Sequence, residues 1–101
     1  MPLEVVYRPD AKQDLDNIFR HIAVDSPERA FAFVNFIRDR CALLRVVPKL
    51  GPSRPDLGPG LRIYPIRRRV VVIYLIGDTA VEIVRVFYGG RNIEALLAKR
   101  R

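Results

Sequence analysis

The sequence predicts an α+β fold in the order β-α-α-β-β-β, with a helical hairpin packed on a small, mainly antiparallel sheet. Apolar residues recur at three- and four-residue spacing between residues 11 and 47, which is typical of amphipathic helices. Three strand-like runs follow between residues 61 and 88, and a short alternating run at residues 3–7 precedes the helices. A chain of 101 residues predicts one domain spanning residues 1–101.

The two predicted helices are separated by a stop and a restart. Asp10 can cap the first helix by accepting hydrogen bonds from free backbone N–H groups. Ser26 suits the same position before the second helix, and Pro27 suits its first turn. The second helix should run to about Val47, because Pro48 cannot continue it. So short a joint predicts that the two helices pack together as a hairpin.

The second helix has more apolar residues than one buried stripe requires. Its predicted stripe consists of Ala30, Val34, Ile37, Cys41 and Leu44. Three phenylalanines, Phe31, Phe33 and Phe36, add apolar width beyond it. Either they complete the core, or they form a docking groove for a partner's amphipathic helix, and both interpretations stay open at this point.

The second half of the chain predicts an antiparallel meander. A proline-rich loop at residues 48–60 leads to strands at residues 61–66, 70–76 and 80–88. The middle strand is almost continuously apolar, which indicates a central strand covered on both faces. The first strand must join this sheet, and the helical hairpin covers one face. Residues 92–101 are expected to form a tail, with a short helix possible at residues 93–99.

The positive charge of the chain predicts an anionic or acidic partner. The formal net charge is +7, and no acidic residue lies between Asp56 and Asp78. Guanidinium groups bind phosphate or carboxylate in a bidentate manner. The candidate target-binding residues are Arg62, Arg67, Arg68, Arg69, Arg85 and Arg91. The alternative is that Arg85 pairs with an internal acid such as Asp14 or Asp56, and that Arg67, Arg68 and Arg69 form a solvated turn.

Several kinds of chemistry have no support in the residue inventory. Cys41 is the one cysteine, so no internal disulfide can form. His21 is the one histidine, and we expect no metal site and no cofactor. General acid–base chemistry on RNA remains possible through arginine and tyrosine, with Tyr64, Tyr74 and Tyr88 as candidates. We expect Tyr74 to pack inside the sheet instead. No secretory or membrane-spanning pattern is visible, which favours a cytoplasmic protein with no membrane partner.

A set of short motifs resembles one known family. In chain order they are Asp14-Leu15-x-x-Ile18, Ile22-Ala23, Ser26-Pro27-x-x-Ala30, Pro48-x-x-Gly51-x-x-Arg54-Pro55-Asp56-Leu57, Gly60-Leu61-Arg62 and Ile83-Val84-Arg85-Val86-Phe87-Tyr88-Gly89-Gly90-Arg91. They resemble the helical hairpin, central loop, second strand and final strand of ParE toxins, in the RelE/ParE superfamily of toxin–antitoxin modules. The resemblance runs from about Leu3 to Arg91. It implies a toxin of a type II module that arrests growth and is neutralised by a cognate antitoxin.

The resemblance also implies a target. ParE members are understood to poison DNA gyrase, whereas RelE members cut mRNA in the ribosome. Two polar positions of the RelE-type site fall on Val71 and Leu97 here, and this departure favours a non-enzymatic ParE-like toxin. The alternative is a ribosome-dependent mRNA endonuclease using Arg62, Arg85, Tyr88 and Arg91.

The resemblance further implies the partners. The first partner is an antitoxin of the ribbon-helix-helix type, which would dock at Phe31, Phe33 and Phe36. The second is DNA gyrase. The third is operator DNA, which the complex would reach through the antitoxin. A third possibility is a degenerate toxin that acts only as an antitoxin-binding subunit.

Overall fold

The computed structural model describes residues 2–89. Its elements are β1 (Glu4–Tyr7), α1 (Pro9–Ala23), α2 (Pro27–Ala42), β2 (Arg62–Ile66), β3 (Val70–Ile76) and β4 (Ala80–Tyr88). Two short 3-10 helices, Leu43–Arg45 and Pro48–Leu50, follow α2. The predicted order of helices and strands is therefore confirmed. The predicted tail, its short helix and Arg91 lie outside the described residues.

The four strands form one mixed sheet in the order β1-β4-β3-β2. β2, β3 and β4 are an antiparallel meander, and β1 adds to β4 in parallel. β3 lies inside the sheet, and Val72, Ile73 and Tyr74 on it are fully buried. This position explains the almost continuous apolar sequence of β3, as predicted.

Each face of the sheet has its own apolar cluster. On one face, Val72, Ile83 and their neighbours pack with Leu15 of α1 and Ile37 of α2 in the main core. On the other face, a smaller cluster is centred on three buried residues, Ile73, Val84 and Phe87. The pairing register between β3 and β4 shifts next to Ile73, where β4 has one extra residue. Such a bulge changes the direction of the side chains that follow it on β4.

The start of α1 differs from the prediction. Arg8 is the residue before the first turn, it makes no side-chain cap bond, and Pro9 is the first helical residue. The prediction that Asp10 caps this helix is therefore wrong. Because proline has φ already set for a helix, Pro9 begins α1 two residues earlier than a cap at Asp10 would, and Asp10 lies inside the first turn. Its carboxylate there lies at the positive end of the helix dipole.

The start of α2 confirms the prediction, but its end does not. The Ser26 hydroxyl accepts a hydrogen bond of 3.2 Å from the Arg29 amide, and Pro27 occupies the first turn. The α-helix ends at Ala42, five residues before Val47, and continues only as a tighter 3-10 turn. The residue before a proline disfavours helical backbone angles. Val47 accordingly has φ −128° and ψ 68°.

The loop after α2 is fixed to the sheet by two side chains. The Tyr74 hydroxyl donates to the Pro48 carbonyl at 2.6 Å and accepts from the Gly51 amide at 2.9 Å. The Arg62 Nε donates to the Gly51 carbonyl at 2.7 Å. A Cβ atom on Gly51 would lie 2.1 Å from the Ile63 carbonyl oxygen, so only glycine fits there. Within residues 2–89, no helix is long and apolar enough to cross a membrane.

Candidate partner-binding site

Arg85 is engaged inside the fold. Its Nε and Nη2 atoms donate to the two carboxylate oxygens of Asp14 at 2.7 and 2.8 Å. The two side chains are only 18% and 11% exposed. The hydrogen bond from Arg85 to Asp14 raises the pKa of the guanidinium, although burial acts in the opposite direction. The alternative that Arg85 pairs with an internal acid is confirmed, and the acid is Asp14.

Asp14 also completes the hydrogen bonding of β4. The strand β1 pairs with β4 only as far as Tyr7, opposite Ile83. Beyond this point the Val86 amide of β4 donates to the Asp14 carboxylate at 2.9 Å. One carboxylate therefore accepts three hydrogen bonds from β4 and ties α1 to the sheet.

The β2–β3 turn presents three consecutive arginines, and all three are exposed. The guanidinium carbon of Arg67 lies 4.0 Å from the centroid of the Phe36 ring on α2, which is a close cation–π contact. Arg67 has a φ of 55°, in the left-handed region that favours glycine. The turn is thus held over α2 in a backbone conformation that is unusual for arginine.

A groove runs along α2 beneath this turn. Its volume is about 670 Å³, and we call it the α2 groove. Its lining residues are Ile22, Arg29, Ala32, Phe33, Phe36, Arg67, Arg69 and Tyr88. The four that belong to α2 are spaced as i, i+3, i+4 and i+7, so they share one face of that helix. The groove combines an apolar floor with guanidinium groups, an arrangement that suits acidic ligands with apolar parts.

A second cavity adjoins the α2 groove at the end of β4. Its volume is about 530 Å³, and we call it the α1 pocket. It shares Arg69 and Tyr88 with the α2 groove, and α1 contributes Asp14, Asn17, Ile18 and His21. The Tyr88 ring lies edge-on to the rings of His21 and Phe33, at centroid distances of 5.9 and 5.7 Å. Tyr88 therefore separates the two cavities and supports both of them.

The structure divides the six predicted arginines. Arg67 and Arg69 line the α2 groove, and Arg69 and Arg85 line the α1 pocket. Arg62 lies apart from both, at the loop after α2, where it donates to the Gly51 carbonyl. The six candidate target-binding residues therefore do not form one continuous surface, since Arg62 lies apart from the others that line the two cavities. Arg91 lies outside the described residues.

The three phenylalanines predicted to bind the antitoxin lie in two different environments. Phe33 and Phe36 are half-buried against the main core, which confirms the core interpretation for these two residues. They also line the α2 groove, and their docking role stays a prediction. Phe31 is 63% exposed and packs edge-on against Phe19 at a centroid distance of 4.9 Å. Sequence analysis missed Arg29 as a groove residue, although its spacing from Phe33 and Phe36 on one helix face was a usable signal.

The other candidate reactive side chains, two tyrosines, the cysteine and the histidine, lie in four different environments. Tyr74 is fully buried, as its central position predicted. Its hydroxyl also fixes the loop after α2. Tyr64 is buried with its hydroxyl lacking a hydrogen-bond partner in the described part of the chain. Burial raises the pKa of the Cys41 thiol to about 11, so the thiol stays protonated at neutral pH. His21 is exposed on α1 and lines the α1 pocket.

Comparisons with known proteins agree with this architecture. Toxin ParE3 of Caulobacter vibrioides is 35% identical over 88 residues, which cover 86% of this chain and 87% of that protein. A solved structure of the chromosomal ParDE toxin–antitoxin system from P. aeruginosa has a TM-score of 0.74 at 26% identity, covering 85% of this chain and 95% of that chain. The toxin–antitoxin complex RelBE2 from Mycobacterium tuberculosis has a TM-score of 0.59 at 27% identity, covering 88% of this chain and 100% of that chain.

A helical hairpin on a mixed four-stranded sheet, shared with these structures, defines a toxin of the RelE/ParE superfamily. The family described as the ParE toxin of the type II toxin–antitoxin system parDE matches residues 5–93. The chain belongs to this ParE toxin family, and its partner is a cognate antitoxin.

Proposed function

We propose that this toxin arrests growth by inhibiting DNA gyrase through binding, without cleaving RNA. The main support is the engagement of Arg62 and Arg85, two of the arginines that the endonuclease alternative requires. Arg62 donates to the Gly51 carbonyl at 2.7 Å, and Arg85 is bidentate to Asp14. A guanidinium that already serves an internal carbonyl or carboxylate is poorly placed to stabilise charge developing on a phosphate. Membership of the ParE family supports the same choice.

The proposed target-binding surface is the β2–β3 turn together with Arg91. Arg67, Arg68 and Arg69 are exposed on this turn, at one end of the sheet. Arginine is well suited to such contacts because its planar donors recognise carboxylate and phosphate groups in a bidentate manner. Since these are surface contacts, they should be sensitive to ionic strength.

The proposed antitoxin site includes Phe31, Phe33 and Phe36 of α2. Phe31 offers an exposed aromatic ring, while Phe33 and Phe36 form part of the α2 groove. We propose an antitoxin of the ribbon-helix-helix type, which would bring the complex to operator DNA, and a cytoplasmic location for the module. A helix laid against an apolar groove is a common way to bind such a surface.

The test is a DNA supercoiling assay with purified gyrase and the purified chain. We expect inhibition by the native chain and a loss of at least about tenfold in potency for the Arg67→Ala/Arg68→Ala/Arg69→Ala variant, because three cations leave one surface. The matched control is Arg20→Ala/Lys12→Ala, which removes two exposed cations of α1 and should leave inhibition unchanged.

Primer extension on ribosome-bound message separates the alternatives. Transcript cleavage that is lost with Arg91→Ala would favour the endonuclease and overturn the gyrase proposal. Absence of growth arrest when the chain is expressed without an antitoxin would instead favour the degenerate, antitoxin-binding subunit.

A further inference from the structure

The β2–β3 hairpin carries positive charge without an acid of its own. No acidic residue lies between Asp56 and Asp78, and this stretch contains the whole of β2, the turn and β3. Within residues 2–89, no carboxylate forms an ion pair with an arginine of the turn. Its three guanidinium groups are therefore open to anions supplied by a partner.

The fold fixes this turn before any partner arrives. Only Arg67, Arg68 and Arg69 join β2 to β3. The Arg69 carbonyl accepts a hydrogen bond of 2.9 Å from the Gly89 amide, which attaches the base of the turn to the end of β4. The Arg67 guanidinium is stacked at 4.0 Å from the centroid of the Phe36 ring. Because these contacts already restrict the turn, binding through it loses less conformational entropy.

The chemistry of the turn favours a phosphate backbone over a protein surface. Protein interfaces combine an apolar centre with a polar rim, but the turn contains no apolar residue. The aromatic ring beneath it, Phe36, is covered by the Arg67 guanidinium. Duplex DNA needs no apolar contact, since it carries about one negative charge per 1.7 Å of its axis. The planar donors of arginine also match phosphate oxygens in a bidentate manner.

We propose that the β2–β3 turn binds the phosphate backbone of duplex DNA, so that the toxin engages gyrase at the DNA segment which the enzyme holds. This inference rests on the proposed function and names the chemistry of its target surface. Arg67, Arg68 and Arg69 each neutralise one phosphate. The binding does not depend on base sequence, because phosphate contacts position a protein on DNA without reading the bases.

The test measures fluorescence anisotropy of a labelled duplex of about 20 base pairs titrated with the full chain. Titrations at KCl concentrations from about 50 to 200 mM give the slope of log K against log salt. Three phosphate contacts predict a slope of about −3, which corresponds to a loss of affinity of about 40-fold across this range. Two duplexes of unrelated sequence should bind with affinities within about twofold of each other.

Single substitutions locate the contact. Arg68→Gln should weaken binding to both duplexes and make the salt slope shallower by about 1. Arg68 has no side-chain hydrogen bond or ring contact within residues 2–89, so this variant should keep the fold, and circular dichroism melting checks it. Arg20→Gln is the matched control, because it removes one exposed cation of α1 and should leave the slope unchanged.

Four outcomes would overturn the inference. The first is no binding of the duplex at about 50 mM KCl. The second is an equal change of slope in Arg68→Gln and Arg20→Gln, which would assign binding to the overall charge of the chain. The third is tighter binding of polyglutamate than of the duplex, which would assign the turn to an acidic protein surface. The fourth is tighter binding of single-stranded RNA of the same length, which would favour the endonuclease.

The two proposals can fail separately, because the anisotropy experiments contain no gyrase. A chain that inhibits supercoiling but does not bind the duplex would refute DNA contact by the turn and leave gyrase inhibition standing. A chain that binds the duplex through Arg68 but leaves supercoiling unchanged would refute gyrase as the target.

Discussion

Arg85 lies on β4 and Arg67 lies in the β2–β3 turn, and the two guanidinium groups differ in the contacts that hold them. Each guanidinium lies over an aromatic ring, Arg85 at 4.7 Å from the Phe87 centroid and Arg67 at 4.0 Å from the Phe36 centroid. Arg85 has a bidentate carboxylate partner in Asp14, whereas no carboxylate within residues 2–89 pairs with Arg67. The local supply of acid, not the residue type, therefore decides whether an arginine is paired inside the fold or stays at the surface.

Burial follows the same division. The Arg85 side chain is 18% exposed, and it needs Asp14 because an unpaired charge at such a site is costly. Arg67 is exposed, and water solvates its charge. We expect substitutions around Arg85 to change stability and substitutions at Arg67 to change binding.

The largest effect is expected for Asp14→Ala. This change leaves Arg85 without its carboxylate and removes the acceptor of the Val86 amide, so the free energy of unfolding should fall by about 3 kcal/mol. For a domain of this size the loss corresponds to a fall in Tm of more than about 10 °C. Urea denaturation and calorimetry measure both quantities.

Asp16→Ala on the same helix is the control for this prediction. Asp16 is exposed, and its removal should stay within about 0.5 kcal/mol of the native chain. In the double variant Asp14→Asn/Arg85→Met, the amide oxygen still accepts from Val86 and the buried charge is gone. Its loss should be only about 1 kcal/mol. Equal stability of Asp14→Ala and Asp16→Ala would show that the ion pair does not hold α1 to the sheet.

A smaller effect is expected for Arg62→Ala. The Gly51 carbonyl loses its 2.7 Å hydrogen bond from Arg62, while the Tyr74 hydroxyl still donates to the Pro48 carbonyl and accepts from the Gly51 amide, so the loop keeps its second attachment to the sheet. The expected loss is about 1 kcal/mol, together with faster hydrogen exchange at the Gly51 amide. If Arg62→Ala retained full stability and lost gyrase inhibition, Arg62 would return to the target-binding group.

The order of helices and strands along the chain could be predicted because it depends on local patterns, whereas the parallel pairing of β1 with β4 could not. Alternating or continuous apolar runs located β3 and β4, and Ser26-Pro27 located the start of α2. The two errors concern helix ends. Pro9 begins α1 ahead of Asp10, because its φ is already set for a helix. The α-helix α2 ends at Ala42 and tightens into a 3-10 turn at Leu43–Arg45, although the apolar pattern continues towards Pro48.

The candidate site could be predicted only in part, because it depends on contacts distant in sequence. The pairing of Arg85 with Asp14 joins residues 71 positions apart, and only the tertiary fold selects Asp14 over Asp56. The stacking of Arg67 on Phe36 likewise joins two groups that the sequence assigned to separate sites. The composition indicated that arginines are candidates for partner recognition. Which arginines are paired internally and which stay exposed depends on the packing of the fold.

The smallest effect on stability is expected at Arg67, and it separates backbone strain from stacking. Arg67→Gly removes the contact with Phe36, worth about 0.5–1 kcal/mol, but relieves a φ of 55° that costs an L-residue about 1 kcal/mol. These terms offset each other, so the unfolding free energy should stay within about 0.5 kcal/mol of the native value.

Arg67→Ala is the matched comparison, because it loses the same stacking and keeps the strain. It should therefore be about 1 kcal/mol less stable than Arg67→Gly by urea denaturation. Both variants lack the guanidinium and should lose potency in the supercoiling assay to the same extent. Greater stability of Arg67→Ala would mean that the turn relaxes out of the left-handed conformation, and Arg67 would then be an ordinary solvated residue like Arg68.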